Sequence, residues 1–289
     1  MVFPLGKTRS DCSGFDQLTR LAKSLELVSF DKVDIDMSGC TWFDANMAAP
    51  LGALLYRASH QLNNVRILGA SHRLENILRK NEFLLNYGRL PLTDSNVTTI
   101  PYRRFEPTDG RYFVSYISKY LQGRGMPKMS AGLHKKFLES VYEMFNNAVI
   151  HSGTTLGIYS CGQYYPNVHR LDFSIGDLGM GIRESLRRKK QLELAADEAI
   201  RWAFTGTNTT RTGPIPGGLG LKLLADFTTK NGGRIQIVSD RGYWELEEGS
   251  VRSSLFDLPF PGTVVNIELN TADTKSYRLS SESNLGDIF

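Results

Sequence analysis

The chain has 289 residues, 41% of them hydrophobic, and a formal net charge of +4 from 34 basic and 30 acidic residues. That length allows two domains with separate cores, and so mild a positive balance gives no reason to expect a nucleic-acid partner. No apolar run reaches membrane-spanning length, the opening Met1-Val-Phe-Pro-Leu-Gly-Lys7 lacks a secretory hydrophobic stretch, and Cys12, Cys40 and Cys161 have neither metal spacing nor an evident disulfide framework; a cytoplasmic protein away from the membrane is expected.

In chain order, the first clear pattern is Lys32 to Met37, where Val33, Ile35 and Met37 alternate with polar residues as in a half-buried strand. Ser38 to Asp44 then turns into a helical stretch through Leu51, Leu54 and Leu55. Val65 to Leu68 reads as a second strand and Ser71 to Lys80 as a second helix. Strand, helix, strand, helix implies a small α/β layer with parallel pairing. Thr93 to Glu106 looks like an irregular crossover containing one strand, and Arg111 to Leu121 like a helix opening a second region.

From Leu133 to Ile150 the apolar positions Leu133, Phe137, Val141, Phe145 and Ala148 recur at helical spacing, which predicts one buried face. Glu143 and Asn147 lie off that stripe, four residues apart and on a common second face. A carboxylate there can take a proton from an attacking nucleophile, and an amide oxygen can ligate Mg²⁺, a hard cation that prefers oxygen. In isolation the pair better suits a solvated helix face carrying two polar residues.

Arg170 to Gly176 alternates again, with Leu171, Phe173 and Ile175 apolar, and Asp177 ends the strand ahead of Gly179 and Gly181. A carboxylate at a strand end can accept the exocyclic amine of adenine, and glycines let the backbone approach a ring or a phosphate. A turn opened by an aspartate is the plainer alternative. A dinucleotide fingerprint is a poorer explanation, because the third glycine would fall on Glu184. Arg187-Arg-Lys-Lys190 reads as a solvated basic helix face.

Thr205 to Pro216 is a long polar stretch rich in Thr, Gly and Pro, with the character of a lid. Gly217-Gly-Leu-Gly-Leu221 follows and opens a helix through Phe227 that Asn231-Gly232-Gly233 stops. Exposed amides at Gly218, Gly220 and Leu221 would point at an anion, although glycines serving only turn geometry are also compatible. Lys222-Leu223 rules out a P-loop. Pro261-Gly262-Thr263 precedes an alternating strand, Val264 to Leu269.

Glu143-Met-Phe-Asn-Asn147, Asp177-Leu-Gly-Met-Gly181 and Gly217-Gly-Leu-Gly-Leu221, in that order, resemble the N, G1 and G2 boxes of the superfamily of gyrase, heat-shock chaperone, histidine kinase and MutL ATPases. The run Glu143 to Ser152 is most similar to the bacterial anti-sigma-factor serine kinases, whose lid is shorter. The resemblance implies a Bergerat-type α/β sandwich over residues 111–270: a mixed, largely antiparallel sheet with helices on one face and ATP between those helices and the lid. It further implies Glu143 as general base, Asn147 as Mg²⁺ ligand, Asp177 as adenine reader supported by Thr263, and Gly179, Gly181, Gly218, Leu219, Gly220 and Leu221 as the nucleotide cradle.

Residues 1–92 resemble the STAS domain of anti-sigma-factor antagonists, where a strand leads to Asp-Ser-Ser-Gly at a helix start. The matching residues here are Asp44-Ala45-Asn46-Met47, so the hydroxyl those antagonists present for phosphorylation is missing. Residues 93–110 would be a linker or crossover and 271–289 a tail. The expected protein is an ATP- and Mg²⁺-binding regulator, expected as a homodimer, that controls a partner, either a STAS-like protein or an effector. It would act as a slowly hydrolysing switch, as a serine/threonine kinase on a STAS-like partner, or as a nucleotide sensor without turnover. A histidine kinase fits poorly, since His60, His72 and His134 precede Gln61, Arg73 and Lys135 where an acid would be usual.

Overall fold

The computed structural model describes residues 1–204 and 219–282. The stretch from Thr205 to Pro216 read as a lid, with Gly217 and Gly218 of the glycine turn, lies outside the described residues.

The N-terminal unit runs β1 (Val2–Pro4), α1 (Cys12–Leu25), β2 (Lys32–Asp36), a 3₁₀ turn (Ala45–Met47), α2 (Ala48–His60), β3 (Asn64–Leu68) and α3 (His72–Lys80). Asp11 caps α1 by accepting the Gly14 amide at 2.9 Å, and Ser71 caps α3 from the Leu74 amide at 3.4 Å. The strands form a parallel sheet in the order β1-β2-β3. Parallel pairing needs crossovers, and α1 and α2 supply them. Across β2 and β3, Arg66 grips the Asp34 carboxylate through two hydrogen bonds of 2.7 Å.

The chain continues as β4 (Thr99–Phe105), α4 (Gly110–Leu121), β5 (Lys128–Met129), α5 (Ala131–Asn147), β6 (Ile158–Tyr165), β7 (Arg170–Asp177), α6 (Gly181–Lys190), α7 (Ala196–Phe204), α8 (Leu219–Asn231), β8 (Arg234–Glu247), β9 (Ser250–Asn270) and β10 (Ser276–Tyr277). Five strands form a sheet in the order β4-β6-β7-β9-β8, with every neighbouring pair antiparallel. The described residues are thus mixed α/β, with a three-stranded parallel sheet, this five-stranded antiparallel sheet and a two-stranded parallel pair of β5 and β10. The segment 93–110, expected as a linker or crossover, contributes β4 to the edge of the larger sheet.

Alternation along these strands sends side chains to two faces. Leu171, Phe173 and Ile175 of β7 and Ile235 and Ile237 of β8 join a core beneath α4, α5 and α8. On the opposite face Tyr159, Cys161, Val238, Tyr243, Phe260 and Val264 join the core of the N-terminal unit itself. The first core is therefore shared between the N-terminal unit and the back of the sheet, where the sequence had suggested one separate core for each domain.

Polar groups at this junction close a circuit. Ser10 Oγ donates to Asn46 Oδ1 at 2.9 Å, Asn46 Nδ2 donates to Ser174 Oγ at 3.0 Å, and Ser174 Oγ donates to Asn266 Oδ1. Asn266 Nδ2 donates to Gln236 Oε1 at 3.4 Å, and Gln236 Nε2 returns to the Ser10 carbonyl at 2.8 Å. Beside it Arg170 bridges Asp44 at 3.0 Å and the buried Asp172 at 2.9 Å. Asn46, where the expected STAS resemblance would have a phosphoacceptor, is buried inside this junction.

Candidate functional site

The site lies on the helical face, where α5 and the turn that follows it meet the end of β7 and the Thr263–Val265 stretch of β9. Ser130 caps α5 by accepting the Leu133 amide at 3.1 Å. Leu133, Phe137, Val141, Phe145 and Ala148 all turn into the core, as their spacing predicts. Glu143 and Asn147 are left on the neighbouring face, in the wall of a cavity of about 150 Å³. Its floor is apolar, built from Met144, Ile175, Leu186, Ile200, Ile237 and Val265, a surface suited to a flat ring.

Asp177 lines the same cavity, at the last position of β7 and opposite Thr263 in the β7–β9 register. It is 4% exposed. Burial pushes its carboxyl up to about 7, against the opposing pull of the Gly179 amide and the Ser152 hydroxyl. Gly179 N donates to Asp177 Oδ1 at 2.8 Å, so the aspartate caps its own turn while one side of it faces the cavity. Gly181 opens α6 at φ +74°, a conformation that suits glycine, and also lines the cavity.

The first turn of α8 meets α5. Gly220 N donates to Glu143 Oε2 at 3.0 Å, and a Cβ at Gly220 would run into that carboxylate. The helix N-terminus therefore already holds one anion, the side chain expected to act as base. Leu221 lines the cavity. Leu219 is the first residue of α8. Glu143, Asn147, Asp177, Gly181, Leu221 and Thr263 thus share one cavity, Gly179 and Gly220 pack directly behind it, and Gly218 is outside the described residues.

Several contributors were not read from the sequence. Ser239 Oγ sits 3.0 Å from Thr263 Oγ1 and accepts the Ile182 amide at 2.8 Å, tying β8, β9 and the start of α6 together behind Asp177. A lone serine at a strand end carries no sequence signal. Trp202, Ala203 and Phe204 of α7 form one wall, with Phe204 against Trp244 at 4.4 Å between ring centroids. The aromatic pair Trp202 and Phe204 just ahead of the expected lid was the available signal, and the sequence reading did not use it. After Asn147 the helix widens into a π turn, Ala148–Ser152, which aligns His151 and Ser152 with the cavity wall.

Among the described residues, no group of three His, Cys, Asp or Glu side chains gathers as a metal site, and no helix is long and apolar enough to cross a membrane. No family model matches the chain, and neither does any curated protein.

Proposed function

We propose that this protein binds ATP with Mg²⁺ in the cavity between α5, α6, α7 and the β7–β9 register, and uses binding and slow hydrolysis as a switch that controls a partner protein. The observation that carries this reading is the convergence on one cavity of a buried strand-end carboxylate, an apolar floor, and a carboxylate with an amide one helical turn apart beside a helix N-terminus. Asp177 would accept the adenine amine, with Thr263 beside it. The floor would take the ring, and the amides at the start of α8 would face phosphate. The oxygen donors suit Mg²⁺, which is commonly held by one or two protein oxygens, waters and the nucleotide's own phosphates. Asn147 would supply the amide oxygen and Glu143 would take the proton of the attacking nucleophile.

A kinase acting on a separate STAS-like partner uses the same constellation with a hydroxyl in place of water. The N-terminal unit of the same chain is not the acceptor in this reading, because Asn46 is buried and hydrogen-bonded on the opposite side of the sheet. Titration with a fluorescent ATP analogue tests the assignment. Asp177→Asn should weaken binding about ten-fold, the size of a lost charge-assisted hydrogen bond of roughly 1.5 to 3 kcal/mol. Equal affinity in both proteins removes Asp177 from the site, and no binding by the wild type removes the reading.

A further inference from the structure

Two turns at one end of the N-terminal unit display large apolar side chains instead of hiding them. Leu27 and Phe30 lie between α1 and β2, and Leu62 lies between α2 and β3; they are 91%, 80% and 66% exposed. The two turns are hydrogen-bonded to each other. The Phe30 amide donates to the Gln61 carbonyl at 3.4 Å, and Gln61 Nε2 donates to the Glu26 carbonyl at 3.4 Å. The buried Asn63 donates to the Val28 carbonyl at 2.7 Å and accepts the Asp31 amide at 3.0 Å. One exposed leucine is ordinary on a protein surface, but three such side chains on adjoining, mutually bonded turns form a patch.

The backbone at two of these residues makes the display costly. Phe30 has φ +57° and Leu62 φ +65°, both left-handed. The Asn63 amide bonds the Ala58 carbonyl at 3.3 Å and the Leu62 amide bonds the Ser59 carbonyl at 2.9 Å, so Leu62 stands just past the end of α2, where helices most often place glycine. A Cβ disfavours that conformation, and a bulky side chain disfavours it further. Neither residue offsets the strain by joining a core, since both side chains face water. The fold by itself would be served better by glycine at both positions, which leaves a contact outside the chain as the reason for a phenylalanine and a leucine.

The charges around the patch have both signs. Lys23 pairs with Glu26 at 2.6 Å ahead of Leu27, Asp31 and Lys32 follow Phe30, and Arg57 bonds the Ala22 carbonyl at 3.4 Å. A nucleic acid or an anionic membrane would meet Glu26 and Asp31 beside the apolar side chains, and any partner of a single sign is opposed by part of this rim. A second copy of the chain, turned about a two-fold axis, brings the mixed set against itself, with Lys23 and Lys32 available to Glu26 and Asp31 of the other copy. We infer that Leu27, Phe30 and Leu62 form a self-association surface through which two copies of this chain meet by their N-terminal units. The contact has only three apolar side chains from each copy inside a polar rim, so the dimer is weak and concentration-dependent. Nucleotide binding is no part of this inference. The cavity lies on the face of the five-stranded sheet opposite to the one that carries the N-terminal unit, and association leaves it open in both copies.

Sedimentation equilibrium of the whole chain, in a concentration series up to about 1 mM, tests this, and a dissociation constant in the micromolar range is expected. Phe30→Asp and Leu62→Asp should each weaken association about ten-fold or more. Phe30→Gly and Leu62→Gly should weaken it too, while the melting temperature of the dilute protein stays at or above that of the wild type, because glycine takes the left-handed backbone without strain. The charge pattern is tested by two double variants, Glu26→Lys with Asp31→Lys and Lys23→Glu with Lys32→Glu. Each alone should associate poorly, and an equimolar mixture of the two should recover the wild-type association. A wild type that remains monomeric at about 1 mM, or an association that survives both aspartate variants, overturns the surface. Melting temperatures lowered in both glycine variants show that the side chains serve the fold and overturn the inference as well. A mixture that fails to recover overturns the second copy as the occupant. So does co-sedimentation of the wild type, but not of Phe30→Asp, with phosphatidylserine vesicles, which gives the surface to a membrane.

Discussion

The two faces of the five-stranded sheet are finished in opposite ways. The face towards the N-terminal unit is sealed: Tyr159, Cys161, Val264 and their neighbours join the core of that unit, and the polar groups between them close on one another from Ser10 through Asn46, Ser174, Asn266 and Gln236. The face towards α5 and α6 keeps a cavity, lined in part by a carboxyl that burial holds near neutrality. The sealed face also buries an acid held well above the usual carboxylate range, Asp172, but Arg170 pairs with it at 2.9 Å, whereas Asp177 lines the cavity.

Removing the seal is the strongest way to break this comparison. Deleting residues 1–92 strips the cover from the back of the sheet, and the remainder should fail to give a folded, monodisperse protein by circular dichroism and light scattering. A well-folded monomeric fragment would show that the shared core is dispensable.

The opposite face is probed next by Glu143→Ala. Loss of a general base lowers rate by about 10² to 10⁴, while nucleotide affinity should change little. Phosphate release and analogue titration, measured side by side, check the split. A wild type with no release and no transfer to any partner favours the sensor without turnover.

Asp177 links the site to stability. Because burial raises its carboxyl to about 7, the folded state holds that proton more tightly than the unfolded chain, where an aspartate titrates near ~3.9. The associated stability is fully present below about pH 4 and is lost as the pH rises through about 7. By about pH 8 ionisation of Asp177 should have cost the ligand-free fold on the order of 4 kcal/mol. Asp177→Asn should therefore raise the melting temperature more at about pH 8 than at about pH 5, even as it weakens nucleotide binding. An unchanged difference between the two pH values would show that Asp177 is not the group responsible.

The smallest expected effect falls on the sealed face. Asn46→Ala removes both hydrogen bonds that this side chain makes to Ser10 and Ser174, and it leaves buried partners unpaired. A loss of about 1 to 3 kcal/mol is expected in urea denaturation, with MgATP turnover unaltered. Altered turnover at full occupancy of the folded state would show that the two faces communicate through the sheet.

Local pattern was enough to read much of the molecule from its residues. The stripe from Leu133 to Ala148 defined α5 and the face on which Glu143 and Asn147 stand, because helical spacing alone decides which side chains share a face. Alternation marked β7 and the strand after Thr263, and with them the ends at which Asp177 and Thr263 sit. What the tertiary structure alone decided are the relations between distant segments: that Asn46 meets Ser174 across 128 positions, that Gly220 meets Glu143 across 77, and that Lys189 meets His151 across 38. Such contacts depend on how sheet and helices stack, and no period or propensity within a segment encodes the partner that packing will bring to it.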